Sequence, residues 1–272
     1  MMEFRTVVDI QDPGFRIEPC ERMLFVGSCF ADSMGTRFRD EGFPVMVNPY
    51  GTMYNPASIL HTLQRLEPEP FTTAFLTLGT NHVYRLKETG EIVDNCQKRP
   101  QSLFTEEELS VDDCADYLLQ CVTVLRELNP QMRIVFTVSP IRYRKYGYHG
   151  SQLSKATLLL AIDKLLCGTS QLNYFPAYEL LNDELRDYRF YASDMLHPSE
   201  QAVDYIWERL VDAYFSSEAK AFLEEWRPVK QALGHKPFNP DSLDYVRFMD
   251  QTRCRLQALR EKYPSLHDIT FK

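Results

Sequence analysis

Four settings in this chain hold residue types that can support acyl chemistry. The first is Gly27-Ser28-Cys29, where a serine follows the apolar run 23–26 and precedes an amphipathic segment over residues 30–41. A hydroxyl between strand and helix lies beside backbone N–H groups and the positive end of the helix dipole. That environment suits a nucleophile with an oxyanion site next to it, although the same position also describes an ordinary helix N-cap. The second setting is Asp194-Met195-Leu196-His197. A carboxylate three residues before an imidazole can hold Nδ1 and leave Nε2 to take a proton from a hydroxyl; a surface or capping pair has the same spacing. The remaining two are donors for a developing oxyanion, the Gly51 N–H and the Asn81 side-chain amide, alongside the N–H of Ser28 itself. Taken singly, Gly51 reads as a turn residue and Asn81 as a strand-end cap.

These residues need elements to bring them together. Continuous apolar runs predict buried strands at 23–26, 43–47, 73–78, 133–138 and 172–175, with a possible short strand at 6–10. Helical spacing predicts helices at 30–41, 56–66, 111–128, 151–166, 177–186 and from Ser199 to 215. Residues 82–86 and 92–95 read as a hairpin, 96–104 as a loop, and 141–150 as a polar, aromatic loop over one edge. Unbroken apolar strands alternating with helices imply a parallel sheet covered on both faces, with ligands beyond the carboxyl ends of the strands. Ser28, Gly51, Asn81, Ser139 and the His197 loop all follow predicted strands and so belong to that edge. From residue 216 the pattern becomes helical, 218–233 and 241–263, with Pro228 expected to kink or split the first stretch and a possible strand at 269–271. The expected architecture is a three-layer α/β/α sandwich, residues 1–215, with a C-terminal helical hairpin, residues 216–272.

Composition narrows the function. The chain has 272 residues and a formal net charge of −8, which argues against broad nucleic-acid binding. No apolar window is long enough to span a membrane, and the first 13 residues lack the apolar core of a signal peptide. Seven cysteines without a C-x-x-C pair, with Cys114 and Cys121 at apolar helix positions, point to a reducing compartment and a cytoplasmic location. The six histidines form no metal-binding pattern and no glycine-rich phosphate loop occurs, so neither a metal nor a cofactor is expected.

The order Ser, Gly, Asn, Asp-x-x-His, each after a strand, resembles the SGNH or GDSL-like hydrolase superfamily. Gly27-Ser28-Cys29-Phe30-Ala31, Asn48-Pro49-Tyr50-Gly51-Thr52, Asn95-Cys96-Gln97-Lys98, Ser139-Pro140 and Asp194-x-x-His197-Pro198-Ser199 resemble more closely the blocks of its GSCFA branch. The resemblance implies a serine esterase or deacylase with Ser28 as nucleophile, His197 as base, Asp194 as its partner, and an oxyanion hole from Ser28, Gly51 and Asn81, with Asn95 the rival amide. It implies a small-molecule or carbohydrate ester, such as an O-acetyl group, as substrate. O-acyl transfer by the same triad, or carbohydrate binding without catalysis, are the alternatives. Departures from the superfamily are Cys29 beside the serine and His82 after Asn81. His82 is a candidate substrate contact or a hairpin residue; Lys98, Arg142, Arg144, His149 and Lys155 are candidates to line the cleft and bind an anionic substrate, and a charged loop of this kind is equally a solvated surface. The sequence does not set oligomeric state.

Overall fold

The apolar runs pair as a parallel sheet. The computed structural model of the chain describes residues 5–94, 96, 99–169, 171–239 and 241–266. Its first half runs β1 (Met23–Gly27), α1 (Cys29–Asp40), β2 (Val45–Val47), α2 (Pro56–Gln64), β3 (Thr73–Leu78), β4 (His82–Leu86), β5 (Ile92–Val93), β6 (Phe104–Glu108) and α3 (Val111–Leu128). The second half runs β7 (Arg133–Val138), α4 (Gly147–Gly168), β8 (Leu172–Tyr174), α5 (Ala177–Glu179), α6 (Glu200–Tyr214), α7 (Ser217–Gly234) and α8 (Leu243–Lys262). Strands β2-β1-β3-β7-β8 form one sheet in that order, every pair parallel.

Each central strand is apolar on both faces because both are covered. Leu24, Val26, Leu76, Leu78, Phe136 and Val138 pack under α2, α3 and α4 with Leu60, Leu118 and Leu158. Met23, Phe25, Phe75 and Val135 face the other way, against Phe38 of α1, Ile206 of α6 and Phe222 of α7. Phe25 and Phe75 stack across neighbouring strands at 4.8 Å between ring centres. The chain leaves β1 for β2 on one side, then returns across it to β3, so strand order reverses between β1 and β3. Such a reversal opens a crevice at the carboxyl ends of the two strands, and Ser28 and Gly79 follow those ends directly.

Four local expectations need correction. Residues 6–10 form no ladder: Val8 N–H donates to Glu184 at 2.8 Å and Val8 O accepts from Arg209 at 2.6 Å, so side chains satisfy this backbone. Residues 104–108 are strand β6, antiparallel to β4, which makes the hairpin a three-stranded sheet β5-β4-β6. Helix α4 begins at Gly147, inside the expected loop. Helix α7 is not split at Pro228, because Trp226 and Val229 on either side are buried in the core and hold the turn. The candidate strand 269–271 lies outside the described residues.

The C-terminal helices dock far from the crevice. Trp226 Nε1 donates to Asp40 O at 2.9 Å and Lys230 pairs with Glu41 at 2.7 Å. These contacts lie at the carboxyl end of α1, roughly 18 Å along a 12-residue helix from Ser28. Among the described residues no helix is long and apolar enough to cross a membrane.

Candidate active site

Strand β1 ends in a glycine because nothing larger fits. Gly27 has φ +146°, and a Cβ there would lie 2.1 Å from Thr77 O of the adjacent strand. The next residue, Ser28, caps α1: its Oγ accepts from Phe30 N–H at 3.3 Å, which holds the hydroxyl at the positive end of the helix. Asn48, at φ +41°, braces this turn from the end of β2. Its Oδ1 accepts from Gly27 N–H at 2.8 Å, and its Nδ2 donates to Asp32 at 2.7 Å. Asp32 in turn accepts from Thr52 Oγ1 at 3.2 Å. Sequence reasoning passed over Asn48 in favour of Gly51; an asparagine just before a proline turn was the available signal.

Ser28 opens on a cavity of about 290 Å³ whose walls include Cys29, Tyr54, Gly79, Ser139, Arg142, Tyr143, Lys155 and His197. The volume is at the small end for ligand sites, which suits a small acyl group. Cys29 Sγ lies 3.5 Å from Tyr54 Oη.

His197 reaches this cavity from a loop that folds back on itself. Ala192 N–H donates to His197 O at 2.8 Å, and Met195 takes φ +59° at the bend. Asp194 Oδ1 accepts from the N–H groups of Leu196 (2.8 Å) and His197 (3.0 Å), and its Oδ2 holds His197 Nδ1 at 2.6 Å. The N–H of His197, then that of Leu196, then the imidazole hold the Asp194 carboxyl down to about 2. An ionised carboxylate can only accept, so Nδ1 is the donor in this pair and Nε2 is left outside it. Ser28 Oγ and His197 share the cavity wall without a direct hydrogen bond. Arg142 supports the loop: its N–H donates to Leu196 O at 3.0 Å, Nη1 donates to Met195 O at 3.2 Å, and its guanidinium lies over the rings of Tyr148 and Tyr191.

The expected oxyanion donors are occupied elsewhere. Ser28 N–H donates to Thr77 O at 3.0 Å, extending the β1–β3 ladder, and Gly51 N–H donates to Asn48 O at 2.9 Å within an exposed turn. Asn81 is buried, its Nδ2 donates to Leu109 O at 2.8 Å, and it does not line the cavity. Asn81 thus buckles β3 to the segment before α3, and Gly51 closes a turn. The donor left over beside Ser28 is the N–H of Cys29, the first residue of α1, which meets no acceptor among the described residues. The rival amide Asn95 lies outside the described residues, as does Lys98.

Of the other substrate-contact candidates, Arg142 lies on the cavity wall. His82 is buried and stacks on Tyr146 at 3.5 Å, and burial pushes its pKa down. This stack, with Lys145 pairing to Glu106 at 2.7 Å and Tyr146 bonding the same carboxylate, ties residues 141–146 to β4 and β6. His149 is exposed and outside the cavity. Lys155 and Arg144 also line it. Among the described residues no group of acidic, histidine and cysteine side chains could hold a metal ion.

Solved structures similar to the chain include a protein of Lactobacillus plantarum, 12% identical with a TM-score of 0.50 over 74% of this chain and 100% of that one. A GDSL-like lipase from Bacteroides thetaiotaomicron is 12% identical with a TM-score of 0.45, covering 75% and 88%. A carbohydrate esterase family 3 protein from Talaromyces cellulolyticus is 10% identical with a TM-score of 0.42, covering 75% and 99%. No curated protein matches. The GSCFA family profile matches residues 22–74 and 69–210, and that of the GSCFA domain protein, C-terminal domain, matches residues 226–270. With the serine turn, the Asp-x-x-His loop, the second half of α7 and all of α8 inside these matches, the chain belongs to the GSCFA family.

Proposed function

We propose that this chain is a serine esterase that removes a small acyl group, such as acetyl, from an alcohol. The observation that carries this reading is the cavity of about 290 Å³ that Ser28, at a helix N-terminus, shares with His197, whose Nδ1 is held at 2.6 Å by Asp194. Ser28 Oγ attacks the ester carbonyl and gives its proton to His197 Nε2 as the tetrahedral intermediate forms. His197 then returns that proton to the departing alkoxide, leaving an acyl-serine. Water repeats the sequence, with His197 again taking and returning the proton, and releases the acid. Asp194 orients the ring and stabilises the imidazolium. Cys29 N–H and the α1 dipole face the negative charge on the carbonyl oxygen.

The alcohol half of the substrate fits a second, open cleft of about 350 Å³ that meets the first at Arg142 and is lined also by Gln152, Asn182, Tyr188 and Tyr191. Amide and guanidinium groups beside the exposed ring of Tyr188 and the half-buried ring of Tyr191 suit a carbohydrate, which presents hydroxyls on its edge and C–H groups on its face. Hydrolysis of 4-nitrophenyl acetate by the wild type, with loss on Ser28→Ala and His197→Ala in folded protein, tests the reading. Equal rates in all three would refute it.

A further inference from the structure

Lysine 155 is the cavity-lining group that the triad leaves without a role. It stands on α4, is 2% exposed, and donates from Nζ to Gly79 O at 2.7 Å. An ammonium carries three N–H donors; Gly79 O takes one, and no other acceptor and no carboxylate bonds Nζ among the described residues. The nearby carboxylates are engaged: Asp194 holds His197, and Asp32 holds Asn48 and Thr52. Burial without a counter-charge pushes the lysine down to about 7. Gly79 also touches the nucleophile turn, since a Cβ built on it would stand 3.4 Å from Ser28 Cβ. One peptide unit therefore separates the Nζ contact from Ser28. The neighbouring Ser154 already clips this turn, accepting from Asn81 N–H at 3.0 Å and bonding Thr80 Oγ1 at 3.0 Å, so the turn has a neutral anchor without the lysine.

A buried, unpaired ammonium is costly, and an apolar side chain would fill the same volume without that cost. Its spare donors face no protein anion, while the reaction at Ser28 creates one on the substrate carbonyl oxygen. The amide expected to meet that oxygen, Asn81, is bound to Leu109 O instead. We propose that Lys155 Nζ is the cationic donor to the oxyanion formed at Ser28, acting with the N–H of Cys29 in the place expected for Asn81. This rests on the esterase reading of the same site. The bond that forms joins Ser28 Oγ to the carbonyl carbon; the electron pair of the carbonyl π bond moves to oxygen and is held there by Lys155, which transfers no proton.

The test compares wild type with Lys155→Met, Lys155→Arg and Lys155→Ala on 4-nitrophenyl acetate, with thermal melts to establish folding. Lys155→Met is expected to lower kcat by roughly 10²–10³-fold with KM within a few-fold, as loss of an oxyanion donor does. In Lys155→Ala, added ethylammonium is expected to restore at least tenfold of the loss in a saturable way, which a merely structural lysine would not show. Lys155→Arg keeps a cation and is the second folded variant should Lys155→Met not fold; it is expected to retain more activity than Lys155→Ala. Active wild type with kcat unchanged to within about threefold in folded Lys155→Met or Lys155→Ala overturns the lysine's role and leaves the esterase reading standing. A wild type that does not hydrolyse the ester, or that hydrolyses it no faster than folded Ser28→Ala, overturns both.

Discussion

Asn48 Oδ1 accepts the N–H of Gly27 at 2.8 Å, and this contact fixes the turn from which Ser28 projects. The same amide donates to Asp32 at 2.7 Å, so one buried side chain joins the end of β2, the end of β1 and the first turn of α1. Asn48→Ala leaves a buried N–H without its partner and places alanine at φ +41°. The expected cost is about 2–4 kcal/mol in urea unfolding, with a fall in kcat in the protein that remains folded, because the nucleophile loses its brace.

Asn81 separates the two views of the oxyanion site. Its amide is spent on Leu109 O at 2.8 Å, so Asn81→Ala is expected to cost roughly 1–3 kcal/mol of stability. In steady-state assays the folded fraction keeps its kcat to within about threefold. A fall of about 10²-fold or more without loss of stability would return the asparagine to the oxyanion.

What could be read from the chain follows what each feature depends on. β3, α3 and β7 match their sequence-derived bounds because their apolar spacing is local and both sheet faces are buried. β6 was missed since Thr105, Glu106 and Glu107 turn mostly to solvent and their only ladder is to β4. The place of Ser28 at the start of α1 and the pairing of Asp194 with His197 were legible because turn chemistry and a three-residue spacing set them. The bonding partner of Asn81 was not. Whether Asn81 meets a substrate or Leu109 O depends on a segment 28 residues away, and the bonds of Asn48 to Gly27 and of Lys155 to Gly79 also join segments distant in sequence.

The Asp194–His197 clasp has a defined acid limit. The folded carboxyl is held down to about 2 against an ordinary 3.8, so the stabilisation it lends is full above 3.8 and disappears as pH falls through about 2. A carboxyl-carbon NMR titration of Asp194 should therefore show a midpoint near 2. A midpoint near 3.8 would mean that the loop N–H groups and the imidazole do not hold the carboxylate.

Lys155 carries the opposite sign. Burial lowers its folded value from 10.5 to about 7, so the folded protein sheds a proton that the unfolded chain keeps. Stability rises from pH 7 toward 10.5, and the penalty is complete below 7. Lys155→Met should therefore be more stable than wild type at pH 6, by about 1–4 kcal/mol, and the gap should shrink at pH 10. Paired urea melts at the two values measure it; a gap that does not change with pH would contradict an unpaired buried ammonium.

The nucleophile is tested most directly by intact-mass analysis after treatment with a fluorophosphonate, followed by peptide mapping. One phosphonyl adduct per chain on Ser28 is expected, with none on Ser28→Ala and much slower labelling of His197→Ala. A folded wild type that stays unlabelled, or an adduct that maps to Cys29 and persists in Ser28→Ala, would contradict the serine mechanism.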